Sequence, residues 1–292
     1  MTTSPRVGVI GTGALGSRLA HASLDRGLDT MVWNRTVART RPLTAAGARL
    51  APTIGQLVHE SDVVVIVVST ADDVRSALRS PEVRLDGRTV VTLTSTTPGD
   101  ATALHGEATA RGARYLDGAA MGGTRRVGDP SAMYFYSGDR SAFDVAAPAL
   151  RAFGTPLFLG VDPGHASRYD TAVLGVIMGY LTAAHQGLAL LRPHGVSAVG
   201  LASLLRDYTP YIVDLFVDQA QQLDVGSVTA EDGSVDVYRA ALQHLRDGSA
   251  EQGVDTVLTD AIASVLERVS AAGRGDDGLA ALADAFTSVR AR

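Results

Sequence analysis

Apolar residues fall in two different rhythms along this chain. In the first half they come as short unbroken runs: Val7-Gly8-Val9-Ile10, Thr30-Met31-Val32-Trp33, Asp62-Val63-Val64-Val65-Ile66-Val67-Val68 and Thr89-Val90-Val91-Thr92-Leu93. Runs of this length, rich in β-branched residues, predict parallel strands buried on both faces. Ala113-Arg114-Tyr115-Leu116-Asp117, Ala132-Met133-Tyr134-Phe135-Tyr136 and Thr155-Pro156-Leu157-Phe158-Leu159 predict three more strands, the last at a sheet edge. Helical stretches lie between them, so the first half reads as a doubly wound α/β sheet.

The rhythm changes at Asp162. From there to Leu191 apolar or small residues recur at Ala166, Val173, Ile177, Leu181, Ala184 and Leu188, the stripe of a helix. Asp162 is a suitable N-cap and Pro163 a suitable first residue, while Pro193 and Gly195 end the element. Such a helix would be roughly 40 Å long at 1.5 Å per residue. Asp170 falls on the apolar stripe, where an acid must be paired, protonated or functional. Residues 172–191 approach the length and apolarity of a membrane span, but Thr182, His185 and Gln186 interrupt them, and the expectation is a buried helix.

Beyond it, Leu201-Leu204-Leu205, Tyr211-Ile212-Leu215-Phe216, Val237-Leu242-Leu245, Val257-Ile262-Leu266 and Leu279-Leu282-Phe286 predict an all-helical domain too small to be self-sufficient. The chain therefore divides into an N-terminal Rossmann domain (1–161), a long interdomain helix (162–193) and a C-terminal helical domain (194–292). Gly175-x-x-x-Gly179 would let another helix approach closely. Surplus apolar surface on the long helix predicts a homodimer.

Composition narrows the possible functions. A formal net charge of -5 in 292 residues and a pI near 5.8 argue against nucleic-acid or anionic-membrane partners. No cysteine is present, which excludes a thiol nucleophile, and no His/Asp/Glu spacing reads as a metal site. The N-terminus enters a strand within a few residues, without the pattern of a signal peptide, so a cytoplasmic location is expected. All 26 basic residues are arginine. A mechanism that needs lysine as acid, base or Schiff-base amine is excluded.

The first apolar run leads into Gly11-Thr12-Gly13-Ala14-Leu15-Gly16, followed by a helix and a second strand. This is the context in which G-x-G-x-x-G signals dinucleotide binding. Gly11 permits the tight turn, Gly13 lets the backbone approach a pyrophosphate, and Gly16 lets helix and strand lie close. Ala14 and Leu15 complete the loop at the helix N-terminus, which favours phosphate charge. At the end of the second strand, where an acid would hold the ribose diol of NAD, stand Asn34, Arg35 and Thr36, with Arg39 one helical turn on. Arginine forks phosphate well, so NADPH is the expected cofactor. Hydroxyls collect after the next two strands, at Ser69, Thr70, Thr94, Ser95 and Thr96. They are candidates to hold nicotinamide or substrate, or else caps of the following helices.

These motifs resemble the NADPH-dependent imine reductases, relatives of 3-hydroxyisobutyrate and 6-phosphogluconate dehydrogenases. The glycine loop is shared by the whole superfamily. More specific are Val32-Trp33-Asn34-Arg35-Thr36 with Arg39, Leu93-Thr94-Ser95-x-Thr97-Pro98, Tyr115-Leu116-Asp117-Gly118-Ala119 and Gly160-x-Asp162-x-Gly164-x-Ala166-x-x-Tyr169-Asp170. The resemblance implies a domain-swapped dimer, NADPH-dependent reduction of a cyclic C=N bond, and Asp170 as proton-donor candidate, with Tyr169 as alternative. Met121, Val173, Ile177, His185 and Tyr211 are candidates for the substrate pocket. The chain departs from the family at Thr96, usually glycine, and at Thr124, frequently proline.

The chemistry agrees with that resemblance. The dehydrogenase relatives carry a lysine near the start of the long helix. Here Arg168 stands near that position, and arginine does not give up its proton. An iminium cation would be repelled by a lysine and attracted by a carboxylate, by about 4 kcal/mol at ~4 Å and intermediate dielectric before desolvation. Asp170 would either donate the proton or stabilise a substrate already protonated. A carbonyl or 2-hydroxyacid-type reductase and a non-catalytic NADPH-binding protein are the alternative readings. A structural Asp170, paired with Arg168, Arg192 or a helix terminus, is the alternative for that residue.

Overall fold

A computed structural model describes residues 4–286. In chain order the first unit contains β1 (Val7–Ile10), α1 (Ala14–Asp25), β2 (Thr30–Trp33), α2 (Arg41–Ala45), β3 (Arg49–Leu50), α3 (Ile54–Glu60), β4 (Val63–Ile66), α4 (Ala71–Arg79), β5 (Thr89–Thr92), α5 (Pro98–Thr109), β6 (Arg114–Ala120), β7 (Met133–Gly138), α6 (Arg140–Phe153) and β8 (Thr155–Phe158). They build one eight-stranded sheet in the order β3-β2-β1-β4-β5-β6-β7-β8. Every pairing is parallel except β6–β7. The strand order reverses between β1 and β4, which opens a ligand crevice at their carboxyl ends.

The unbroken apolar runs are explained by two cores, one on each face of this sheet. Leu19 and Ala20 of α1 and Leu150 and Phe153 of α6 pack against Val7, Val9, Val63 and Val65. Leu57 of α3, Val74 of α4 and Leu104 of α5 pack against Ile10, Val64, Ile66 and Val90 on the other face. Successive strand side chains alternate between these cores, so both faces of each central strand call for apolar residues.

Several predicted boundaries shift. The run starting at Asp62 yields a strand of four residues, because Val67 and Val68 leave the sheet to line the crevice. Strand β6 runs three residues beyond Asp117, since Gly118, Ala119 and Ala120 pair with Tyr136, Phe135 and Tyr134. Gly118 is required there, because a Cβ would press into the Tyr136 ring. The two-residue edge strand β3 has no apolar run and is exposed, so periodicity gives no sign of it.

The long helix α7 spans His165–Leu191. It starts later than expected: Asp162 Oδ1 accepts from the Gly164 N–H (2.9 Å) in a preceding turn instead of capping the helix. Arg192–His194 form a terminal 3-10 turn and Gly195 is left-handed at φ +83, which closes the element. The expectation that α7 is buried is not met within the chain: Ala166 and Ser167 alone are buried among its residues. Among the described residues, Ile177 and Leu181 of its stripe are exposed and Val173, Ala184 and Leu188 only half-buried, and a Cβ on Gly175 or Gly179 would meet open space. By length and composition alone, His165–His194 could cross a membrane.

The compact units divide after Val176, inside α7. The second holds the rest of α7, then α8 (Ala198–Val225), α9 (Val235–Glu251), α10 (Val257–Val269) and α11 (Leu282–Ala285). The Leu201 and Tyr211 patterns prove to be one helix of 28 residues that continues through Pro210. A small core around Val235, Leu266, Val269 and Ala281 joins α9, α10 and the C-terminal turns.

Candidate active site

The glycine loop has the geometry its spacing requires. Gly11 is at φ +95, and a Cβ there would collide with the Val67 carbonyl. A Cβ on Gly16 would collide with the Gly11 carbonyl, whereas one on Gly13 would meet nothing within 4 Å. The open side of Gly13 is the room a pyrophosphate needs. Helix α1 begins here without any side-chain cap, so its first N–H groups are available to an anion. A cleft of ≈ 590 Å³ runs along this edge, lined by Gly11, Gly13, Ala14, Leu15, Gly16, Asn34, Arg35, Thr36, Arg39, Ser69 and Ser95 among others. That is the size range of a cofactor site.

Asn34 has a more local task than expected. Its Oδ1 accepts from the Thr12 N–H (3.1 Å) and its Nδ2 donates to the Thr36 carbonyl (3.0 Å). The side chain thus ties the glycine loop to the end of β2, which leaves its neighbours as the candidates for phosphate. Arg35 and Arg39 are exposed and, among the described residues, neither forms an ion pair. These cations, on the mouth of the cleft, fit a 2′-phosphate.

Three of the predicted hydroxyls stand apart from the cleft. Thr70 caps α4, accepting from the Asp73 N–H (3.1 Å) and donating to its carboxylate (2.8 Å). Thr94 is turned inward, where its Oγ1 accepts from the Val68 N–H (3.1 Å). Thr96 points to α7, its hydroxyl 3.3 Å from that of Ser167. In each case a nearby backbone or side-chain group satisfies the hydroxyl locally. Residues that line the cleft and were not foreseen include Trp33, Ile54, Val67, Val68, Asp73 and Ser76. The overhang of the β4 apolar run past the sheet was the available sign for Val67 and Val68.

The first turn of α7 lies against β6 and β7. Ser137 Oγ accepts from the Ala166 N–H (2.9 Å) and donates to the Pro163 carbonyl (3.1 Å). Ser167 Oγ donates to Asp117 Oδ2 (2.7 Å). Thr92 approaches the other carboxylate oxygen (3.4 Å), and its hydroxyl lies 2.9 Å from that of Tyr115. Asp117 is 1% exposed. Burial pushes its carboxyl up to about 7, against the hydrogen bonds from Ser167 and Thr92, and the nearby charge of Asp170 adds to the rise. Sequence reading gave Asp117 no role, because a single acid ending a strand has no periodic signature.

Asp170 lies one turn beyond Ser167. It is half-buried and desolvation raises its pKa. Among the described residues it has no hydrogen bond and no ion pair. The structural alternative is not realised with Arg168, whose guanidinium is held by Asp162 (2.7 Å). Tyr169 is 51% exposed and packs edge-on to Phe135 with ring centroids 5.7 Å apart.

The substrate-pocket candidates separate. Met121 and Val173 pack around Phe135, Ala119 and Ala166, next to the turn that bears Asp170. Ile177, His185 and Tyr211 belong to the second unit. There His185 Nδ1 lies 2.7 Å from the Leu181 carbonyl of its own helix, and Tyr211 rests on Tyr208 with centroids 5.4 Å apart. No group of three or more metal-binding side chains occurs among the described residues.

Residues 6–161 match the NAD binding domain of 6-phosphogluconate dehydrogenase, and residues 162–288 match the C-terminal domain of NADPH-dependent reductive aminase-like proteins. The chain is 31% identical over 287 residues to an NADPH-dependent reductive aminase of Aspergillus oryzae, covering 97% of each. It superposes on a reductive aminase from Aspergillus terreus, in complex with NADPH4, cyclohexanone and allyl amine, with a TM-score of 0.90 and 32% identity over 98% of this chain and 100% of that one. An imine reductase from Myxococcus stipitatus in complex with NADP+ gives a TM-score of 0.89 and 32% identity, covering 97% and 100%.

Proposed function

The chain belongs to the family of NADPH-dependent reductive aminases and imine reductases, and from that premise we propose that Asp170 is the acid serving its C=N chemistry. The protein is an NADPH-dependent oxidoreductase that reduces a C=N bond to an amine. When bound, NADPH supplies the hydride. The chain's own residues do the rest. The uncapped start of α1 holds the pyrophosphate and Arg35 with Arg39 holds the 2′-phosphate.

The observation that carries the role of Asp170 is its solitude. A half-buried carboxyl with no cation and no hydrogen-bond donor among the described residues costs stability, and is retained where a partner arrives with the substrate. The raised pKa increases the fraction able to donate a proton to the imine nitrogen. Once ionised, the same group faces an iminium without a competing positive charge, because Asp162 holds Arg168.

The reading also includes a homodimer in which the apolar stripes of α7 and α8 cover one another. Leu174, Val176, Met178, Phe216 and Val217 are exposed in the chain alone, more apolar surface than a soluble monomer keeps in one place. Gln186 donates to the Asp255 carbonyl and Thr259 hydroxyl (3.2 Å each) of its own unit, polar pairing that suits a protein partner better than lipid.

The substrate class is tested by NADPH oxidation with five-, six- and seven-membered cyclic imines, set against ketones of the same ring sizes without amine. Turnover of imines alone supports the reading. Ketone turnover that survives Asp170→Ala would move the protein to the carbonyl reductases of the same superfamily.

A further inference from the structure

One rung of the antiparallel pair β6–β7 places Asp117 opposite Ser137, and both side chains reach the same helical turn. Ser137, fully buried, takes the Ala166 N–H (2.9 Å), while Asp117 takes the Ser167 hydroxyl (2.7 Å). These are the two residues of α7 that the chain buries. Ser167 also lies 3.3 Å from Thr96, next to Ser95 on the cofactor cleft. The turn is thus fixed both to the sheet and to the loop that borders the cofactor.

We propose that Asp117 and Ser167 are positioning residues for the reaction, a buried clamp that fixes the Asp170-bearing turn against the cofactor loop. The clamp rests on the reading of Asp170 above, and it does separate work. Among the described residues the Asp170 carboxyl has no hydrogen bond or ion pair to set its direction, so its placement depends on the turn beneath it. Buried polar groups that are fully hydrogen-bonded hold geometry more tightly than apolar contacts do, and small displacements at a reacting centre are costly. A serine at 167 suits the site because its short side chain brings a hydroxyl donor to the carboxylate under the helix. Ser167 and Thr92 both face the buried carboxyl and offset part of the cost of its burial.

The test compares Ser167→Ala, Asp117→Ala and Asp117→Asn, each with and without Asp170→Asn, after thermal melts have shown the variants folded. Ser167→Ala and Asp117→Ala should lower kcat about ten- to a hundredfold, with KM for NADPH within about twofold, because the cleft's own contacts are untouched. Asp117→Asn keeps an oxygen for the Ser167 hydroxyl and should recover most of that loss. In the Asp170→Asn background the clamp variants should cost almost nothing more, since there is no carboxyl left to position. A folded Ser167→Ala enzyme with wild-type kcat would overturn the clamp, as would equal losses in both backgrounds. If Asp117→Ala does not fold, Ser167→Ala decides alone. Wild-type turnover by Asp170→Asn itself would overturn the reading of Asp170 together with the clamp built on it.

Discussion

The two units solve the burial problem in opposite ways. Strand β4 has no exposed residue, enclosed by α1 and α6 on one face and by α3, α4 and α5 on the other. Helix α8 is seven times as long and buries none of its residues. Apolar content does not separate them. The sheet closes its core with its own chain, whereas the helices present Tyr208, Ile212, Val213, Phe216 and Val217 outward. The proposed homodimer would complete the part that the chain leaves open.

The largest effect should come from spoiling the unfinished part. Val176→Asp combined with Phe216→Asp should abolish the dimer in light scattering and remove turnover, because each change puts a charge where about 2 kcal/mol of apolar burial is expected. The NADPH cleft, made by the first unit, should still bind cofactor. A double variant that stays dimeric would show that these faces are not the ones that associate.

Next come two glycines in the finished part. Gly11→Ala demands a left-handed backbone and collides with the Val67 carbonyl, so it should lower the melting temperature and abolish NADPH binding. Gly13→Ala meets no protein atom. It should leave the melt unchanged and weaken NADPH by about a hundredfold, because its methyl takes the pyrophosphate's place. Equal melts for both would show the loop is less constrained than its φ of +95 implies. A smaller change, about ten- to a hundredfold in NADPH affinity, should follow Arg35→Ser with Arg39→Ser, while NADH affinity moves little. Parallel losses for both cofactors would contradict a 2′-phosphate role.

A further test concerns Asp117 as a titrating group. Its folded-state pKa, about 7, lies above the ordinary 3.8, so between those values the folded protein binds more protons than the unfolded one. Stability relative to Asp117→Asn should therefore fall as pH rises from 4 to 7, with a limiting slope of ~1.4 kcal/mol for each step of one in pH. A pH-independent difference between the two in urea titrations would argue against a perturbed acid.

What the sequence made legible follows the same division. Val7–Ile10, Thr30–Trp33 and the glycine loop were readable because a strand buried on both faces, and a turn that admits only glycine, each leave one solution. The extent of β6 was not, since its last residues are set by the hairpin partner Tyr134–Tyr136 across from them. Thr94 and Thr70 could be assigned to cofactor or cap alike, because Ser and Thr after a strand satisfy either geometry. Burial of α7 within its own chain was expected too readily, for a physical reason. Hydrophobic periodicity reports that a face will be covered and carries no information on whose atoms cover it. Asp170 stood out as an acid on that face, yet the clamp under it joins three segments distant in sequence and has no local pattern.

The proposed role of Asp170, a half-buried carboxyl in a chain without lysine, is the point on which the proposed function turns. It is tested most directly by single-turnover reduction of a cyclic imine with Asp170→Asn, saturated with NADPH and matched to wild type in melting temperature. A loss of at least about a hundredfold in the reductive step is expected, with NADPH affinity preserved. Wild-type rates from that variant would contradict it.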